Sequence, residues 1–468
     1  MIVAVEQLSR ILLANHYGPG QFGVYNIGMS LYLVSTVFIL FGSEQVLLRN
    51  LSENRNNREL RESYLLLSFF MTIVLFCIFI IFSYFAINIE ILFSLTKEDS
   101  TVIYYFLWMV LPIAFLRIIW AQNRALGENK KYFFNKFIYY ELIIIIIYLT
   151  GIYFDISLNN LILLQLMFVG MLAVCFAWKE IIPIINPSRM MSLNKILKDY
   201  YAIAGNMTFS LFMAEVRKRL DIIILAAWLS KEQLGVYSFC LLLSRFPTLI
   251  QASFNQFLLP TMVLARQRGD KEFIQDRYSL VQEVNMLISI PILFYFMCMP
   301  ADVLNVLGKS YSSVDASHIL AAFAMIYLFV IFAGSWGQVL IAENKTSVTS
   351  VLSALALIIN LAGLFVLVPW LGASGAVITV GITLIISNFI GTIFVISKYH
   401  ILPVDKNGFA YIVIHSVQTF VFIYTINKLN IDIISKISVT CLIPLISGTI
   451  LFFFFNKNNR YRKFINIA

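Results

Sequence analysis

Charged residues are scarce in this chain. Asp, Glu, Lys and Arg make up 13% of its 468 residues and 60% are hydrophobic, whereas an average soluble domain is roughly 25% charged. Long polar stretches are also missing: the longest, near 49–63, 179–199 and 260–279, each have the length of one loop or one amphipathic helix. No sizeable soluble domain fits into stretches of that length. The composition predicts a membrane protein built from many helices.

Cysteine and histidine are also too few and too scattered to suggest a redox or metal centre. The four histidines form no HxxxH or HExxH arrangement, so the sequence predicts no metal and no other cofactor. The N-terminus lacks the basic flank and small-residue cleavage site of a cleavable signal peptide. The five cysteines all lie in apolar runs without paired spacing and are interpreted as small hydrophobes: Cys77, Cys175, Cys240, Cys298 and Cys441.

What the chain has in abundance is apolar runs of membrane-spanning length. A helix needs roughly 20 apolar residues to cross a hydrocarbon core of about 30 Å. The runs predict an all-α polytopic membrane protein with about fourteen transmembrane helices. These predicted spans are 1–17, 24–48, 64–88, 101–121, 137–154, 157–178, 200–229, 234–259, 280–303, 318–341, 347–370, 373–397, 409–427 and 437–455.

The distribution of basic residues predicts the orientation. With fourteen spans, 23 Lys and Arg residues fall on the side of both termini and five on the other side. Because Lys and Arg accumulate in cytoplasmic loops, both termini are predicted to be cytoplasmic. The net charge of +9 follows from this topology, and since the cations are divided among short loops, no nucleic-acid partner is expected.

An internal repeat divides the chain. Residues 13–25, LANHYGPGQFGVY, and residues 225–237, LAAWLSKEQLGVY, share six identities without a gap at an offset of 212. The tripeptide ENK at 128–130 recurs at 343–345, at an offset of 215. Each repeat would contain six spans, and an even number preserves orientation, so the repeats are predicted to be parallel.

The repeat predicts three regions. These are an N-terminal six-helix lobe over 1–185, a C-terminal six-helix lobe over 186–399, and two additional helices with a basic tail over 400–468. In this register, residue 1 aligns with Met213, whereas span 7 begins near residue 200. The first helix is therefore expected to lack about a dozen residues relative to its counterpart.

The first predicted turn carries a resemblance to a known family. The segment YGPGQFGVY at 17–25, followed by a span that contains Gly42 and by a basic loop, resembles the LGPxxFGxY opening of bacterial polysaccharide flippases. These form the polysaccharide-transport branch of the multidrug/oligosaccharidyl-lipid/polysaccharide (MOP) exporter superfamily. The Gly and Pro residues themselves are explained by a tight turn, so they identify the scaffold rather than a substrate site.

The resemblance implies a flippase rather than an enzyme. It would move an undecaprenyl-pyrophosphate-linked oligosaccharide, such as an O-antigen unit, across the bacterial inner membrane by alternating access. Its implied partners are that substrate, membrane lipids and other membrane proteins of polysaccharide assembly. Two alternatives stay open: a cation-coupled multidrug exporter of the same superfamily, and a membrane polysaccharide polymerase or glycosyltransferase. The short outer loops disfavour the enzymes.

Five charged residues lie close together in predicted span 7. At 100° per residue, Glu215 and Arg219 share one helix face and Arg217 and Asp221 share nearly the opposite face, which leaves Lys218 over. Charges inside a bilayer usually face a partner, a bundle interior or a watery cavity. The stretch is therefore expected to be partly self-neutralised, with an excess of positive charge.

Two structural alternatives compete with a substrate site. The charges could be ion pairs that hold the lobes together, as the i,i+4 spacing of Glu6 and Arg10 also permits. Alternatively, 213–221 could be a loop, but then 222–229 would provide only about 12 Å of helix, too short to cross. The helical interpretation is therefore preferred.

The charges are distributed unevenly over the repeat. Arg245 lies near the middle of span 8 with no acidic residue one turn away, and the buried arginines align with uncharged residues of the other half. Guanidinium groups can bind pyrophosphate oxygens in pairs, so one anion site is predicted. Its candidate residues are Arg10, Arg117, Arg217, Lys218, Arg219 and Arg245, with Glu6, Glu215 and Asp221 as charge partners or coupling groups.

Overall fold

A computed structural model describes residues 2–53, 58–86, 89–181, 200, 212–213, 215–343, 345–428 and 433–455. Within these ranges the chain is helical apart from short turns. It forms two compact units, Met1–Gly235 and Val236–Ala468. The predicted lobe boundary at 185/186 falls in 182–199, outside the described residues, and stays a prediction.

The first unit begins with a long helix that is broken at Gly18. Its helices are α1 (Ile2–Leu40), α2 (Ser43–Glu53), α3 (Arg58–Ala86), α4 (Ile89–Leu92), α5 (Lys97–Ala125), α6 (Asn129–Phe133), a π-helix (Phe134–Leu142), α7 (Ile143–Tyr153), α8 (Leu158–Ile181) and α9 (215–226). Helix α10 (Lys231–Ser244) crosses the boundary between the units.

The second unit contains the remaining helices and one 3₁₀ turn. They are α11 (Phe246–Gln267), α12 (Lys271–Cys298), α13 (Pro300–Leu307), the 3₁₀ turn Lys309–Tyr311, α14 (Val314–Ala333), α15 (Trp336–Ala342), α16 (Thr346–Tyr399), α17 (Lys406–Asn427) and α18 (Ile433–Phe455).

Side-chain caps start several of these helices where the sequence places them. The Thr96 hydroxyl accepts a hydrogen bond from the Asp99 amide at the start of α5 (3.2 Å), and the Asp270 carboxylate accepts one from the Phe273 amide in α12 (2.9 Å). Asp405 caps α17 in the same way. Such caps satisfy amide groups that have no intrahelical partner, so they fix where a helix leaves its loop.

Among the described residues, nine helices are long and apolar enough to cross a membrane, or ten if the bent pair α10–α11 counts as one span. Two breaks account for part of the difference from the fourteen predicted spans. Helix α1 contains a non-helical residue at Gly18 (φ 75°), and α16 contains one at Gly372 (φ 56°). Helix α16 holds the predicted spans 347–370 and 373–397, and α1 holds the span 1–17 and most of the span 24–48, joined in each case by a very short turn. Much of predicted span 7, at 200–229, lies outside the described residues.

Helices α5 and α12 lie at the centre of their units. The most apolar windows of Lys97–Ala125 and Lys271–Cys298 are 61% and 67% buried, against 28% for Glu59–Ser83 in α3. A helix that is apolar on all faces and mostly uncovered is suited to contact lipid. Arg117, in the middle of α5, is largely held inside the bundle, with 28% of its side chain exposed.

The two copies of the repeated motif meet at their glycines. A Cβ atom on Gly235 would collide with the carbonyl oxygen of Pro19, and one on Gly23 would collide with the carbonyl oxygen of Lys231. Gly23 and Gly235 are equivalent at the offset of 212, and so are Pro19 and Lys231. The contact is therefore reciprocal between the two copies of the motif, at residues that all lie in the first unit.

Aromatic packing repeats as well. The ring of Tyr25 packs edge-on against Phe106, with 5.5 Å between centroids, and the ring of Tyr237 packs edge-on against Phe323 at 5.3 Å. Tyr25 and Tyr237 are equivalent in the repeat, and both are buried. These pairs support the duplication that the sequence predicts.

Candidate functional site

A polar cavity of about 160 Å³ lies in the first unit, beside a break in the second predicted span. Helix α1 ends at Leu40 and α2 begins at Ser43, and both intervening residues, Phe41 (φ 42°) and Gly42 (φ 70°), have positive φ. The cavity is lined by Leu33, Val37, Leu40, Gly42, Glu44, Gln45, Arg117, Glu215 and Lys218. Three of the residues predicted for the site, Arg117, Glu215 and Lys218, therefore line one cavity next to an irregular backbone segment.

Arg117 reaches this cavity from the central helix α5 and is held by Glu44. Its Nε lies 2.5 Å from Glu44 Oε1, and its Nη2 lies 2.9 Å from Glu44 Oε2. Both side chains are largely buried, with 28% and 19% of their surface exposed. This is the two-pronged geometry in which a guanidinium binds a carboxylate or a phosphate. Glu44 is not among the buried charges that the sequence predicts.

The charged stretch of span 7 is helical, as predicted, over 215–226. Glu215 lies 3.7 Å from Arg219 one turn on, which confirms the predicted pairing of these two residues. The expectation that Lys218 is left over is wrong, because its Nζ lies 3.3 Å from Glu215. A three-residue spacing also places side chains on one face of a helix.

The residues of α9 differ in their surroundings. Glu215 and Lys218 line the cavity, whereas Arg217, Arg219 and Asp221 are not among its lining residues. Asp221 is buried, with 3% of its surface exposed. The helix therefore contributes one acid and one base to the cavity, and its other charged residues do not line it.

A second cavity, of about 90 Å³, contains the predicted pair Glu6–Arg10. Arg10 Nη2 lies 2.7 Å from Glu6 Oε1. Tyr140 and Glu141, which are adjacent in the chain, both line this cavity and belong to the π-helix Phe134–Leu142. The wider turn of a π-helix is rare and commonly marks a functional site. The other lining residues are Ser9, Met29, Ile144, Ile145, Tyr148 and Gln165.

A third site of charge pairing lies at the start of α5. The Asp99 carboxylate is 3% exposed and binds the Lys231 ammonium at 2.6 Å. Asp99 also accepts a hydrogen bond from the Thr96 hydroxyl at 2.8 Å. These residues border a pocket of about 360 Å³. The ion pair joins the start of α5 to the start of α10, next to the reciprocal glycine contact.

The fold and the family follow from comparison with known proteins. A family model described as polysaccharide biosynthesis protein matches residues 19–316, which is more than half of the chain. The chain belongs to the polysaccharide biosynthesis protein family. The family predicted from the motif at 17–25 is thereby confirmed. No curated protein sequence matches the chain.

Solved structures similar to this family member are transporters of the MOP superfamily. The lipid II flippase MurJ in an inward closed conformation has a TM-score of 0.70 at 15% identity, covering 99% of this chain and 98% of that one. An inward-facing multidrug resistance MATE transporter of the MOP superfamily has a TM-score of 0.66 at 12% identity, covering 85% of this chain and 94% of that one. The MATE transporter DinF-BH has a TM-score of 0.58 at 14% identity, covering 86% of this chain and 94% of that one. At these identities the likeness establishes the fold alone, a multi-pass bundle of membrane helices.

In the second unit of this family member, Arg245 lies at a bend. It separates α10 from α11, which meet at 43°, and its Nε donates to the Tyr327 hydroxyl at 2.7 Å. Pro247 follows in the first turn of α11, and a proline there ends the preceding helix because it lacks an amide hydrogen. A search of the sequence for a nearby acid does not find this partner, because it is a tyrosine of α14 that lies 82 positions away.

Proposed function

We propose that this protein moves an oligosaccharide linked to undecaprenyl pyrophosphate, of the O-antigen repeat-unit type, from the cytoplasmic to the outer leaflet by alternating access. The observation that carries the proposal is the cavity beside α2, where Arg117 and Lys218 line a polar space inside a membrane-spanning bundle. A largely buried cation such as Arg117, 28% exposed, is costly in a bilayer and usually serves an anionic group. The pyrophosphate is the anionic part of such a substrate.

The length of the chain supports a lipid-linked cargo over a small drug. The MATE structure covers 85% of the chain and the MurJ structure covers 99%. The difference in coverage is close to the fraction of the chain that residues 400–468 represent. That region holds the two helices α17 and α18 outside the repeat. Exposed apolar residues along them, such as Phe409, Val417 and Ile450, would give a prenyl tail a lipid-facing surface while the head group occupies a polar interior.

The substrate itself can be identified by deletion of the gene. We expect one lipid-linked oligosaccharide to accumulate in the cytoplasmic leaflet and the surface polysaccharide to disappear, with recovery of both when the gene is restored. Mass spectrometry of extracted lipids would show the prenyl chain, the pyrophosphate and the sugars. Unchanged lipid-linked intermediates together with loss of efflux of a small cationic drug would favour the multidrug alternative instead.

The proposed direction of transport depends on both termini being cytoplasmic, and cysteine labelling can test this. In a background without the five native cysteines, a cysteine in place of the exposed Arg268, after α11, is expected to resist a membrane-impermeant thiol reagent in intact cells. A cysteine in place of the exposed Lys309, on the opposite side in this topology, should react. The reversed pattern would invert the orientation and contradict the 23 to 5 distribution of basic residues.

A further inference from the structure

We infer that Glu44 is an internal anion that occupies the phosphate position of the transport site when no substrate is bound. The substrate pyrophosphate would displace it from Arg117, and Glu44 would return to Arg117 as the substrate leaves. This inference rests on the proposed function and assigns a regulatory role to one residue of that site. It makes Glu44 a positioning residue that tunes affinity and release.

The first support is that the Glu44 carboxylate binds Arg117 through the contacts that a phosphate group of the substrate would use. Two guanidinium nitrogens face two carboxylate oxygens, at 2.5 and 2.9 Å. A phosphate group presents a pair of oxygens to arginine in the same manner. The nitrogens that would hold a pyrophosphate are therefore already engaged, and a substrate can use this fork only by replacing the carboxylate.

The second support is the position of Glu44 in the broken span. Glu44 is in the first turn of α2, directly after the two residues with positive φ that separate α2 from α1. The N-terminus of a helix carries a partial positive charge that favours an anion. Because α2 has 11 residues and starts at the cavity, its first turn carries Glu44 to the guanidinium of Arg117 on α5.

The third support is the charge of the cavity. Its lining contains two basic residues, Arg117 and Lys218, and two acidic residues, Glu44 and Glu215. An empty site in which the largely buried Arg117 had no counter-charge would be strongly destabilised, whereas Lys218 is 59% exposed and pairs with Glu215. The acids keep the empty site neutral, and withdrawal of Glu44 from Arg117 would create the positive charge that a pyrophosphate needs.

The space permits such an exchange. A volume of about 160 Å³ equals that of about five water molecules in the liquid. The lining residues of α1, which are Leu33, Val37 and Leu40, are apolar, so the polar lining comes from α2, α5 and α9. The hinge at Phe41 and Gly42 lies next to Glu44, which gives α2 a point about which its first turn can move.

Competition with an internal anion has a measurable consequence. The apparent affinity for substrate is lowered by the fraction of protein in which Arg117 is engaged by Glu44. Removing the carboxylate should therefore strengthen binding and slow release. A purely structural ion pair predicts the opposite, because loss of Glu44 would leave Arg117 buried without a counter-charge and weaken the whole site.

The test uses the full-length protein with Glu44→Gln. Binding of inorganic pyrophosphate and of geranyl pyrophosphate is measured in detergent, and transport of the lipid-linked substrate is measured in proteoliposomes. We expect at least tenfold tighter binding of both probes and at least fivefold slower transport. The matched control is Glu343→Gln, since Glu343 pairs with Arg266 at 3.3 Å and is 19% exposed, as Glu44 is, and it should change neither quantity.

A second variant keeps the inference testable if Glu44→Gln does not fold. Glu44→Asp retains the charge and shortens the side chain by one methylene, which loosens the two-pronged contact while leaving the cavity neutral. Binding of pyrophosphate should then tighten severalfold. Unchanged or weaker binding in the folded Gln or Asp variant would overturn the role of Glu44.

The outcomes also separate this inference from the proposed function. Pyrophosphate binding that is lost in Arg117→Ala but unaffected by Glu44→Gln would leave the anion site in place and reject the displacement. A wild-type protein that binds neither probe and does not transport the lipid-linked substrate would reject both, whereas transport that does not depend on Arg117 would reject only the role of Glu44 and Arg117.

Discussion

A valine at position 235 is expected to abolish transport and to remove most of the folded protein. The obstacle to a side chain at Gly235 is the backbone carbonyl of Pro19, which cannot rotate away as a flexible side chain could. Overpacking of a core typically costs about 1–3 kcal/mol, and the upper end applies where backbone meets backbone. About 3 kcal/mol corresponds to more than a hundredfold change in the ratio of folded to unfolded protein. Membrane abundance, thermal midpoint in detergent and surface polysaccharide would measure the effect.

The repeat provides both a second test and a control for this prediction. Gly23→Val should act similarly, because Gly23 meets the carbonyl of Lys231 in the reciprocal contact. Gly170→Val in α8 is the matched control, since no heavy atom lies within 4 Å of a Cβ built there. If Gly235→Val and Gly170→Val accumulate to equal levels with equal thermal midpoints, the close approach of the two motifs would be disproved.

The sequence predicts the apolar segments well, and the breaks within and between them poorly. Hydropathy over a window of many residues identifies a span, but it is insensitive to the φ angle of one residue. The turn at Gly18 can be located because a repeated motif surrounds it. The break at Phe41 and Gly42, which shapes the candidate site, falls inside predicted span 24–48 because that stretch is apolar on both sides of it.

The candidate site is predicted only in part for a similar reason. Local spacing correctly identifies Glu6 with Arg10 and Glu215 with Arg219, because partners one turn apart lie on one helix face. Arg117 and Glu44 are 73 positions apart, so only the packing of α2 on α5 brings them together. A signal is nevertheless present: Glu44 is an acid inside a predicted span, two residues after a glycine.

The acidic partners change the argument about cargo. The excess of basic residues among the charges predicted to be buried favours an anionic substrate, but Glu44 and Asp99 are further buried acids that pair with bases. A simple count of charges therefore no longer distinguishes an anion carrier from a cation exporter. The geometry of Arg117, whose Nε and Nη2 face two oxygens of Glu44, discriminates better because it suits an anion with paired oxygens.

Collapse of the membrane potential is expected to slow transport more than collapse of the pH gradient. A pyrophosphate diester carries about two negative charges, and the cell interior is negative. Outward movement therefore gains about 2.3 kcal/mol per charge for each 100 mV, or roughly 4.6 kcal/mol at 100 mV, which is more than a thousandfold in the equilibrium ratio across the membrane. A pH difference of one unit contributes only about 1.4 kcal/mol for each coupled proton.

This electrical contribution depends on which charges cross the membrane with the substrate. The field acts only on charge that moves. Arg117, Glu44, Glu215 and Lys218 belong to the protein, so if they stay near one depth while the anion passes, the full charge of the cargo is exposed to the potential. If Glu44 moved with α2 in the direction opposite to the pyrophosphate, its charge would cancel part of the electrical free energy gained.

In proteoliposomes with equal pH on both sides, an outward-directed transport rate that rises steeply with a potassium diffusion potential would support electrophoretic movement. A rate that does not change when valinomycin and equal potassium clamp the potential at zero would refute it and leave the proposal of an anion site at Arg117 unaffected.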